Sequence, residues 1–344
     1  MQTIGISLLG FGNVGQAFAQ LLLDKQRSIQ EQYALDLKVV AIQTGRHGAA
    51  IDRNGIDLPS ALKIMQDGDM LTALNQTTAP DDVGALLEAS TASVMAENTP
   101  VSYADGQPAL DHIRAALSRG VHVVTANKGP VVHGHKELVQ MAAASGCRFL
   151  FESTVMDGAP IFSLWRAVLP AAVMTSFRGI LNSTTNLILS RMESGETFDS
   201  AVSYAQSIGI AETDPSGDVD GWDAAIKVAA LVTVLMGFEL LPQSVNREGI
   251  GTLQAEQVQA AIKGGQRWKL ICEAHREGEG VSARVQPQLV DRTDPLFTVM
   301  GTSSAVTFHS DVLGALTVTE ADPGPHTTAY GLLADLLNIF REAP

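Results

Sequence analysis

The amino-acid sequence predicts an α/β fold, with an N-terminal Rossmann-type parallel sheet and a second α+β domain that contains a mixed sheet. Three observations predict this arrangement. Strand-like and helical segments alternate through the first 150 residues, which is typical of a parallel, doubly wound sheet. A glycine-rich segment, GFGNVG, follows the first strand and opens the first helix. After about residue 160, the strict alternation gives way to several helices and a separate group of strands.

The first domain is expected to span residues 1–135, completed by a C-terminal helix at 326–344. Its first strand, TIGISLL, is a continuous apolar run of the kind buried in parallel sheets. The helix after GFGNVG should end near Lys25, and the stretch from 45 to 80 is polar. The further elements expected up to residue 154 are strands at 37–44, 92–97, 122–127 and 147–154 and helices at 107–119 and 136–145.

The second domain is expected to span residues 136–325. Helical periodicity predicts four more helices, and short apolar or alternating runs predict five strands. Residues 242–264 are weakly patterned and predict no element. The expected elements are helices at 160–170, 185–193, 197–208 and 222–236, and strands at 175–181, 268–275, 281–287, 296–299 and 305–308.

Composition excludes several classes of protein. The 344 residues are 45% hydrophobic and 17% charged, so the chain has enough apolar content for two cores. A net charge of −14 argues against a nucleic-acid partner and against binding to an anionic membrane. Its two cysteines form no CxxC pair, and the N-terminus has no signal-peptide pattern. We therefore expect a cytoplasmic protein with no membrane or nucleic-acid partner.

The segment Gly10-Phe11-Gly12-Asn13-Val14-Gly15 predicts a dinucleotide-binding turn. The first glycine permits the tight turn, the second lets a pyrophosphate approach the backbone, and the third allows close helix–strand packing. The helix N-terminus favours the anion.

The second strand predicts which dinucleotide is bound. NAD-binding proteins commonly place an acidic residue at the end of this strand, whereas this sequence has Arg46 just after it. The sequence therefore favours NADP(H) over NAD(H), with a surface arginine as the alternative.

A mostly apolar helix at 222–236 carries Asp223 and Lys227 four residues apart, on one face. Burying charges is costly unless they are paired or used, and a partly buried lysine beside a carboxylate is a good acid/base group. The alternative is structural. Asp220 would cap the helix, Asp223 would complete a capping box, and Lys227 would form an ordinary ion pair.

Three other motifs leave function and structure open. Lys128 lies in TANKGP, at the end of a predicted strand, where ligands bind in open α/β sheets. GILNSTTN at 179–186 is a strand-to-helix junction, in which Ser183 or Thr184 is a candidate helix cap. The turn ESTVMDGAP at 152–160 offers carbonyls that suit a hard cation, although the residues alone favour a plain turn.

Taken together, these motifs resemble the homoserine dehydrogenase family over essentially the whole chain. The resemblance depends on GFGNVG, TANKGP, FES-V-GAP at 151–160, GILNSTTN and, most specifically, on the ordered residues Glu212-x-Asp214-Pro215-x-x-Asp218-x-x-Gly221-x-Asp223-x-x-x-Lys227. It implies the NAD(P)H-dependent reversible reduction of L-aspartate-4-semialdehyde to L-homoserine, in threonine, methionine and isoleucine biosynthesis. It also implies a homodimer whose second domain binds substrate, catalyses and dimerises.

The resemblance assigns roles residue by residue. Lys227 and Lys128 would flank the reacting oxygen with Asp223 beside them, and Glu212 and Asp218 would bind the substrate's amino group. Asn98, Thr99, Lys128 and Gly324 would join the cofactor-binding set. A Na⁺ or K⁺ ion would be held by backbone carbonyls of Glu152, Val155, Asp157 and Ala159. Met156 and Asp157 are larger than the small residues that the family often has there.

Two alternatives remain at this stage. One is another NAD(P)-dependent amino-acid dehydrogenase, such as an aspartate dehydrogenase, and the other is a nucleotide-binding sensor without turnover. The sequence ends at Pro344, whereas many relatives continue into a regulatory domain. We therefore expect threonine to inhibit weakly or not at all, and strong saturable inhibition in an assay would contradict that expectation.

Overall fold

The computed structural model describes residues 1–75 and 77–341, and the chain divides into two compact units. One unit comprises Met1–Pro160 together with the segment that begins at Gly324, and the other comprises Ile161–Pro323. The boundary falls at Pro160 rather than at residue 135, because a strand at 149–150 still belongs to the first sheet. Among the described residues, no helix is long and apolar enough to cross a membrane.

The first unit is built on a six-stranded sheet in the order β3-β2-β1-β4-β5-β6. Neighbouring strands are parallel throughout, except that β3 pairs antiparallel with β2. This arrangement confirms the Rossmann-type sheet, and its chain reversal lies between β1 and β4, where such sheets bind ligands. The strands are β1 (Gln2–Leu9), β2 (Leu35–Gln43), β3 (Ala49–Ile51), β4 (Val94–Glu97), β5 (His122–Thr125) and β6 (Phe149–Leu150).

In the described part of this unit, six α-helices connect the strands. The first is longer than expected and continues past Lys25 to Tyr33, ending at Ala34 in a left-handed conformation. The polar stretch from 45 to 80 also contains β3 and a helix. The helices are α1 (Asn13–Tyr33), α2 (Leu58–Asp67), α3 (Val83–Ser90), α4 (Ala109–Leu117), α5 (Lys128–His133) and α6 (His135–Ala144).

The second unit carries the mixed sheet that the sequence predicts, in the order β12-β11-β7-β9-β10-β8. All its pairs are antiparallel except β8 with β10. The strands are β7 (Met174–Ile180), β8 (Asn246–Arg247), β9 (Gln266–Glu277), β10 (Gly280–Asp291), β11 (Ser304–Ser310) and β12 (Leu316–Glu320). The helices are α7 (Ile161–Ser163), α8 (Ser183–Glu193), α9 (Phe198–Ser207), α10 (Ser216–Val219), α11 (Trp222–Leu231) and α12 (Ala255–Lys263).

Some predicted elements are wrong. The segment 147–154 forms only the two-residue β6, followed by a 3-10 turn at Glu152–Thr154, and 296–299 forms a 3-10 turn at Pro295–Thr298 instead of a strand. In the second case Asp294 accepts a hydrogen bond from the Leu296 N–H, which caps the turn. The unplaced segment 242–264 contains β8 and α12.

The C-terminal helix, α13 (Pro325–Phe340), belongs to the core of the first unit. Its buried residues Ala329, Leu332, Leu333 and Leu336 join the apolar cluster that contains Ile4 and Ile6 of β1. The predicted helix extends over 342–344, which lie outside the described residues. Burial of this face against β1 and α1 accounts for the position of a helix that is far away in sequence.

Candidate active site

The predicted dinucleotide turn has the geometry that its glycines suggest. Gly10 has a φ of +84°, and a Cβ there would lie 2.5 Å from the Asn98 carbonyl oxygen. A Cβ on Gly15 would lie 2.4 Å from the Gly10 oxygen. Around Gly12 there is nothing within 4 Å of such a Cβ, so space remains open over the backbone. Two of the three glycines are therefore required by packing and the third by access.

The start of α1 is suited to an anion. Gly12 precedes the helix without any side-chain cap, and Asn13 at the first helical position is exposed. Phe11 is buried and Val14 packs against the apolar core, so these two side chains anchor the turn. Uncapped N–H groups at the positive end of a helix favour a phosphate.

Asn98 follows β4 beside this turn, and its side chain is placed to contact a bound ligand. Both its side-chain amide atoms are buried, yet neither has a hydrogen-bond partner among the described residues. Buried polar groups in folded proteins are almost always satisfied. The unsatisfied amide, the open space at Gly12 and the uncapped helix together fit a dinucleotide.

Thr99 and Lys128 lie near the carboxyl ends of neighbouring strands. The Thr99 N–H donates to the Glu97 carboxylate at 2.9 Å. Lys128 is the half-buried first residue of α5, and the Asn127 side chain caps this helix by accepting from the Gly129 N–H at 3.0 Å.

Arg46 and Gly324 lie at two other points of the first unit. Arg46 is exposed in the turn from β2 to β3, which closes through hydrogen bonds between Thr44 and Gly48. Gly324 precedes α13, and its carbonyl oxygen accepts from the Thr328 N–H and hydroxyl, both at 3.0 Å.

The second unit brings three of the predicted charged residues, Asp218, Asp223 and Lys227, into one cluster. The Lys227 ammonium donates to the Leu181 carbonyl at 2.7 Å and lies 3.1 Å from the Asp223 carboxylate. The Asn182 amide donates to Asp218 at 2.6 Å and to Asp223 at 3.0 Å. The Lys227 and Asp223 side chains are only 15% and 13% exposed.

The capping-box alternative for Asp220 and Asp223 is wrong. The residue before α11 is Gly221, in a left-handed conformation at φ +80°, and no side chain caps the helix. Asp220 ends the preceding α10 instead. Asp223 is directed into the cluster with Lys227, and the residues of α11 that follow are mostly buried.

Burial and like charge raise the pKa of Asp218. Loss of hydration is the larger cause, and the neighbouring Asp223 adds to it, whereas hydrogen bonds from Asn182 and Thr184 and the charge of Lys227 oppose it. A site with two close carboxylates and one ammonium attracts a further cation. Glu212, by contrast, is exposed, and within the described part of the chain no hydrogen bond or ion pair joins its carboxylate to this cluster.

The turn at 152–159 packs against α13. The Glu152 N–H donates to the buried Asp335 carboxylate at 2.7 Å, and the Thr327 hydroxyl donates to Asp157 at 2.9 Å. In residues 1–75 and 77–341, no three histidine, cysteine, aspartate or glutamate side chains cluster as metal ligands. A cation in this turn would therefore be held by backbone oxygens. No described residue donates to the carbonyls of Val155 and Asp157, whereas the Ala159 N–H donates to Met156 at 2.8 Å.

Sequence reasoning missed two residues of these sites. Asn182 caps α8 by accepting from the Thr185 N–H at 2.8 Å, in place of the predicted Ser183 or Thr184. Its other amide atom binds both carboxylates of the cluster. Glu97 is fully buried at the end of β4, and burial raises its pKa to about 7. A glutamate that ends an apolar strand, as in VMAE, was the available signal.

Comparison with known proteins matches both units. The family model described as homoserine dehydrogenase matches residues 160–337, and the one described as homoserine dehydrogenase, NAD binding domain, matches residues 10–152. An NAD(+)-dependent homoserine dehydrogenase of Pseudomonas canavaninivorans is 36% identical over 339 residues, covering 98% of this chain and 96% of that protein. The homoserine dehydrogenase of Methanocaldococcus jannaschii is 36% identical over 337 residues, covering 97% and 98%.

Solved structures of homoserine dehydrogenases are also similar to this chain. A putative homoserine dehydrogenase from Archaeoglobus fulgidus superposes with a TM-score of 0.86 at 32% identity, covering 98% of this chain and all of that one. A hyperthermophilic archaeal homoserine dehydrogenase in complex with NADPH has a TM-score of 0.83 at 27% identity, covering 98% of both chains. The chain therefore belongs to the homoserine dehydrogenase family, NAD(P)-dependent oxidoreductases that interconvert L-aspartate-4-semialdehyde and L-homoserine.

Proposed function

We propose that Lys227 is the acid/base group of this homoserine dehydrogenase. The observation that carries the proposal is the Lys227 ammonium, held by the Leu181 carbonyl and the Asp223 carboxylate at the start of a buried helix. When bound, the reduced nicotinamide supplies the hydride that reduces the aldehyde carbon. Lys227 donates the proton that the developing alkoxide needs, and Asp223 keeps the ammonium oriented. Lys128, at the start of α5, is the second lysine that assists this proton transfer.

Oxidation of homoserine requires the reverse transfer. The lysine must then be neutral to accept the hydroxyl proton, so the rate of homoserine oxidation should rise at alkaline pH. Asp223 stabilises the ammonium that results. The same geometry therefore serves both directions, with the pH deciding which is faster.

The test is Lys227→Ala, with Lys263→Ala as the matched control. Lys263 is exposed at the end of α12, so its loss should leave turnover unchanged. Loss of a positioned acid/base group should lower kcat by about a hundredfold or more. If kcat of Lys227→Ala stays within about tenfold of wild type while NADPH still binds, the acid/base role is wrong. A protein that binds cofactor with no turnover even in the wild type would instead be a sensor.

We propose that Asp218, together with Glu212, binds the amino group of the substrate. Asp218 is crowded by Asp223 and hydrogen-bonded by Asn182, so an incoming ammonium relieves the repulsion between the two carboxylates. Glu212 is on the exposed loop before α10. Asp218→Asn should raise KM for homoserine more than it changes KM for cofactor, and an unchanged KM for homoserine would exclude the role.

We propose that NADP(H) is preferred over NAD(H), with Arg46 beside the 2′-phosphate. The exposed arginine lies three residues after the end of β2, near the position where NAD-specific sheets carry an acidic residue. Similar enzymes include one named as NAD(+)-dependent and one solved with NADPH, so the choice depends on this chain's own residues. Arg46→Ala should raise KM for NADPH and leave KM for NADH unchanged. Equal changes for both cofactors would remove the basis of the preference.

We propose that the carbonyls of Glu152, Val155, Asp157 and Ala159 hold a Na⁺ or K⁺ ion. The open carbonyls of Val155 and Asp157 support it, as does the preference of hard cations for oxygen. Initial rates with Na⁺, K⁺ or a bulky organic cation at constant ionic strength test it. Identical rates in all three salts would contradict it.

We also propose that the first unit, with the C-terminal helix, binds the cofactor, and that the second unit binds substrate, catalyses and forms a homodimer. The match of the NAD-binding family model to 10–152 supports the first part, and the Asp218–Asp223–Lys227 cluster supports the second. Light scattering of the purified protein tests the dimer. A cytoplasmic location follows from the biosynthetic role, and cell fractionation tests it.

A further inference from the structure

Glu97 is a buried carboxyl group that the proposed chemistry does not use. It ends β4, and its side chain is fully buried. One carboxylate oxygen accepts from the Thr99 N–H at 2.9 Å and also from the Thr99 hydroxyl. The other oxygen lies 3.1 Å from the Thr125 hydroxyl at the end of β5. Glu97 thereby connects the carboxyl ends of two neighbouring strands.

The hydrogen bonds continue from Glu97 to the start of α5. The Thr125 hydroxyl accepts from the Asn127 N–H at 2.9 Å. The Asn127 amide donates to the Thr99 carbonyl at 3.0 Å, and its oxygen caps α5 at Gly129. One carboxyl group therefore supports both the turn at 98–99 and the helix start that carries Lys128.

Counting protons shows that the neutral form of Glu97 satisfies this network. The Thr125 hydroxyl has one proton but faces two acceptors, the Glu97 carbonyl at 2.9 Å and the Glu97 carboxyl at 3.1 Å. If Glu97 is protonated, its own O–H donates to Thr125, and the Thr125 proton is free for the carbonyl. If Glu97 is ionised, the two acceptors compete for one proton. At the Thr125 contact the geometry therefore favours a protonated Glu97, although the two Thr99 donors on the other oxygen suit either form.

His112 of α4 is a titratable side chain that faces Glu97, with its Nδ1 4.0 Å from the carboxylate. Burial lowers the pKa of His112, so this histidine is neutral near neutral pH and brings no compensating charge. Burial raises the pKa of Glu97 to about 7, and the hydrogen bonds from Thr99, Thr125 and Asn127 limit that rise. Glu97 therefore changes charge near neutral pH.

We propose that Glu97 is a positioning residue, whose protonated carboxyl group holds the 98–99 turn and the start of α5 in the arrangement that binds the cofactor. A bound dinucleotide is anionic, and it removes water from the ends of β4 and β5. Both effects disfavour a negative charge on Glu97, so cofactor affinity falls as Glu97 ionises. This inference rests on the proposed placement of the dinucleotide at the Gly10–Gly15 turn.

The test compares wild type with Glu97→Gln, which mimics the protonated acid, and with Glu97→Ala. Kd for NADPH is measured by cofactor fluorescence from pH 6 to pH 9. The ratio of the wild-type Kd to the Glu97→Gln Kd cancels any titration of NADPH itself. It should rise above pH 7, by up to about tenfold per pH unit, because one proton is linked to binding. A ratio that is constant over the whole range overturns the proposal.

Glu97→Ala separates positioning from bulk stability, and Glu88→Gln is the matched control. Glu88 is an exposed glutamate on α3 that pairs with Arg119. The Kd of Glu88→Gln for NADPH should therefore match that of the wild type at every pH. Glu97→Ala leaves the Thr99 N–H without its acceptor, so Kd for NADPH should rise about tenfold, and Glu97→Gln should restore it at pH 6. A Glu97→Ala variant that binds like wild type also overturns the proposal.

A further variant distinguishes a wrong role for Glu97 from a wrong placement of the nucleotide site. Gly12→Ala places a methyl group in the open space above the turn, and it should abolish NADPH binding at every pH. If Gly12→Ala binds normally, the cofactor lies elsewhere. If the ratio of the wild-type Kd to the Glu97→Gln Kd does not change with pH, while Gly12→Ala does not bind NADPH, only the role of Glu97 is refuted.

Discussion

Gly10→Ala should mainly lower stability and Gly12→Ala should mainly lower cofactor affinity, although only one residue separates the two glycines. At Gly10 the backbone has φ +84°, which costs a residue with a side chain roughly 1–2 kcal/mol. The new Cβ would lie 2.5 Å from the Asn98 oxygen and 2.9 Å from the Thr99 nitrogen. Both are backbone atoms that cannot rotate away, and overpacking of this kind costs about 1–3 kcal/mol more. We therefore expect a loss of roughly 2–5 kcal/mol in the free energy of unfolding.

Gly12 has φ −79°, and a Cβ there meets nothing within 4 Å. Its replacement should change stability by less than about 1 kcal/mol. The methyl group occupies the space through which a pyrophosphate approaches the backbone, so cofactor affinity should fall sharply. The pair thus separates a glycine required by the fold from a glycine required by the ligand.

Thermal unfolding and NADPH binding measure the two effects. Gly10→Ala should lower Tm by roughly 4–20 °C, at roughly 2–4 °C per kcal/mol for a unit of this size. Gly12→Ala should keep the wild-type Tm without ligand and lose the rise in Tm that NADPH produces. The reasoning is refuted if Gly10→Ala melts like wild type, or if Gly12→Ala is stabilised by NADPH as wild type is.

Three further predictions concern buried ionisable groups. Asp335→Ala should lower the free energy of unfolding, measured in urea, by about 1–3 kcal/mol, because the Glu152 N–H loses its buried acceptor. Asp335→Asn should recover most of that stability, and equal losses in the two variants would contradict this explanation. Since burial and Asp223 raise the pKa of Asp218 above its ordinary 3.8, the native state holds its proton longer than the unfolded state, and wild-type stability falls as pH rises through that window. Asp218→Asn should therefore be more stable than wild type at neutral pH but not near pH 3, and a pH-independent difference in Tm would contradict it. Burial lowers the pKa of Lys269 from 10.5 to about 8, so between these values the unfolded state holds more protons, and wild type should gain stability with rising pH relative to Lys269→Met; parallel stability curves would exclude this.

Periodic and local signals were sufficient for much of the fold. The apolar run of β1 and the GFGNVG segment predict a strand, a turn and a helix from neighbouring residues alone, and the structure has all three. The strand predicted at 147–154 was wrong in length because two residues of strand and a 3-10 turn share one apolar pattern. The strand predicted at 296–299 was wrong because a local cap from Asp294, rather than strand pairing, decides the conformation of this segment.

The pairing of Asp223 with Lys227 was predictable because both residues lie on one helix, and helical geometry alone brings residues four apart together. Its surroundings were not predictable in the same way. Asn182, which caps α8 just after β7, reaches both carboxylates from a distant part of the chain. The capping box failed because α11 begins after Gly221, one residue later than the sequence pattern suggested.

By itself, the sequence determined which short segments turn, which are apolar, and which family the combination of motifs resembles, because each of these depends on residues close together in the chain. Only the tertiary structure decided that Glu97 is buried against Thr125, that Asn182 joins Asp218 to Asp223, and that Asp335 of α13 accepts the Glu152 N–H. Burial and hydrogen bonding set the charge of such groups, and both depend on contacts between segments far apart in sequence.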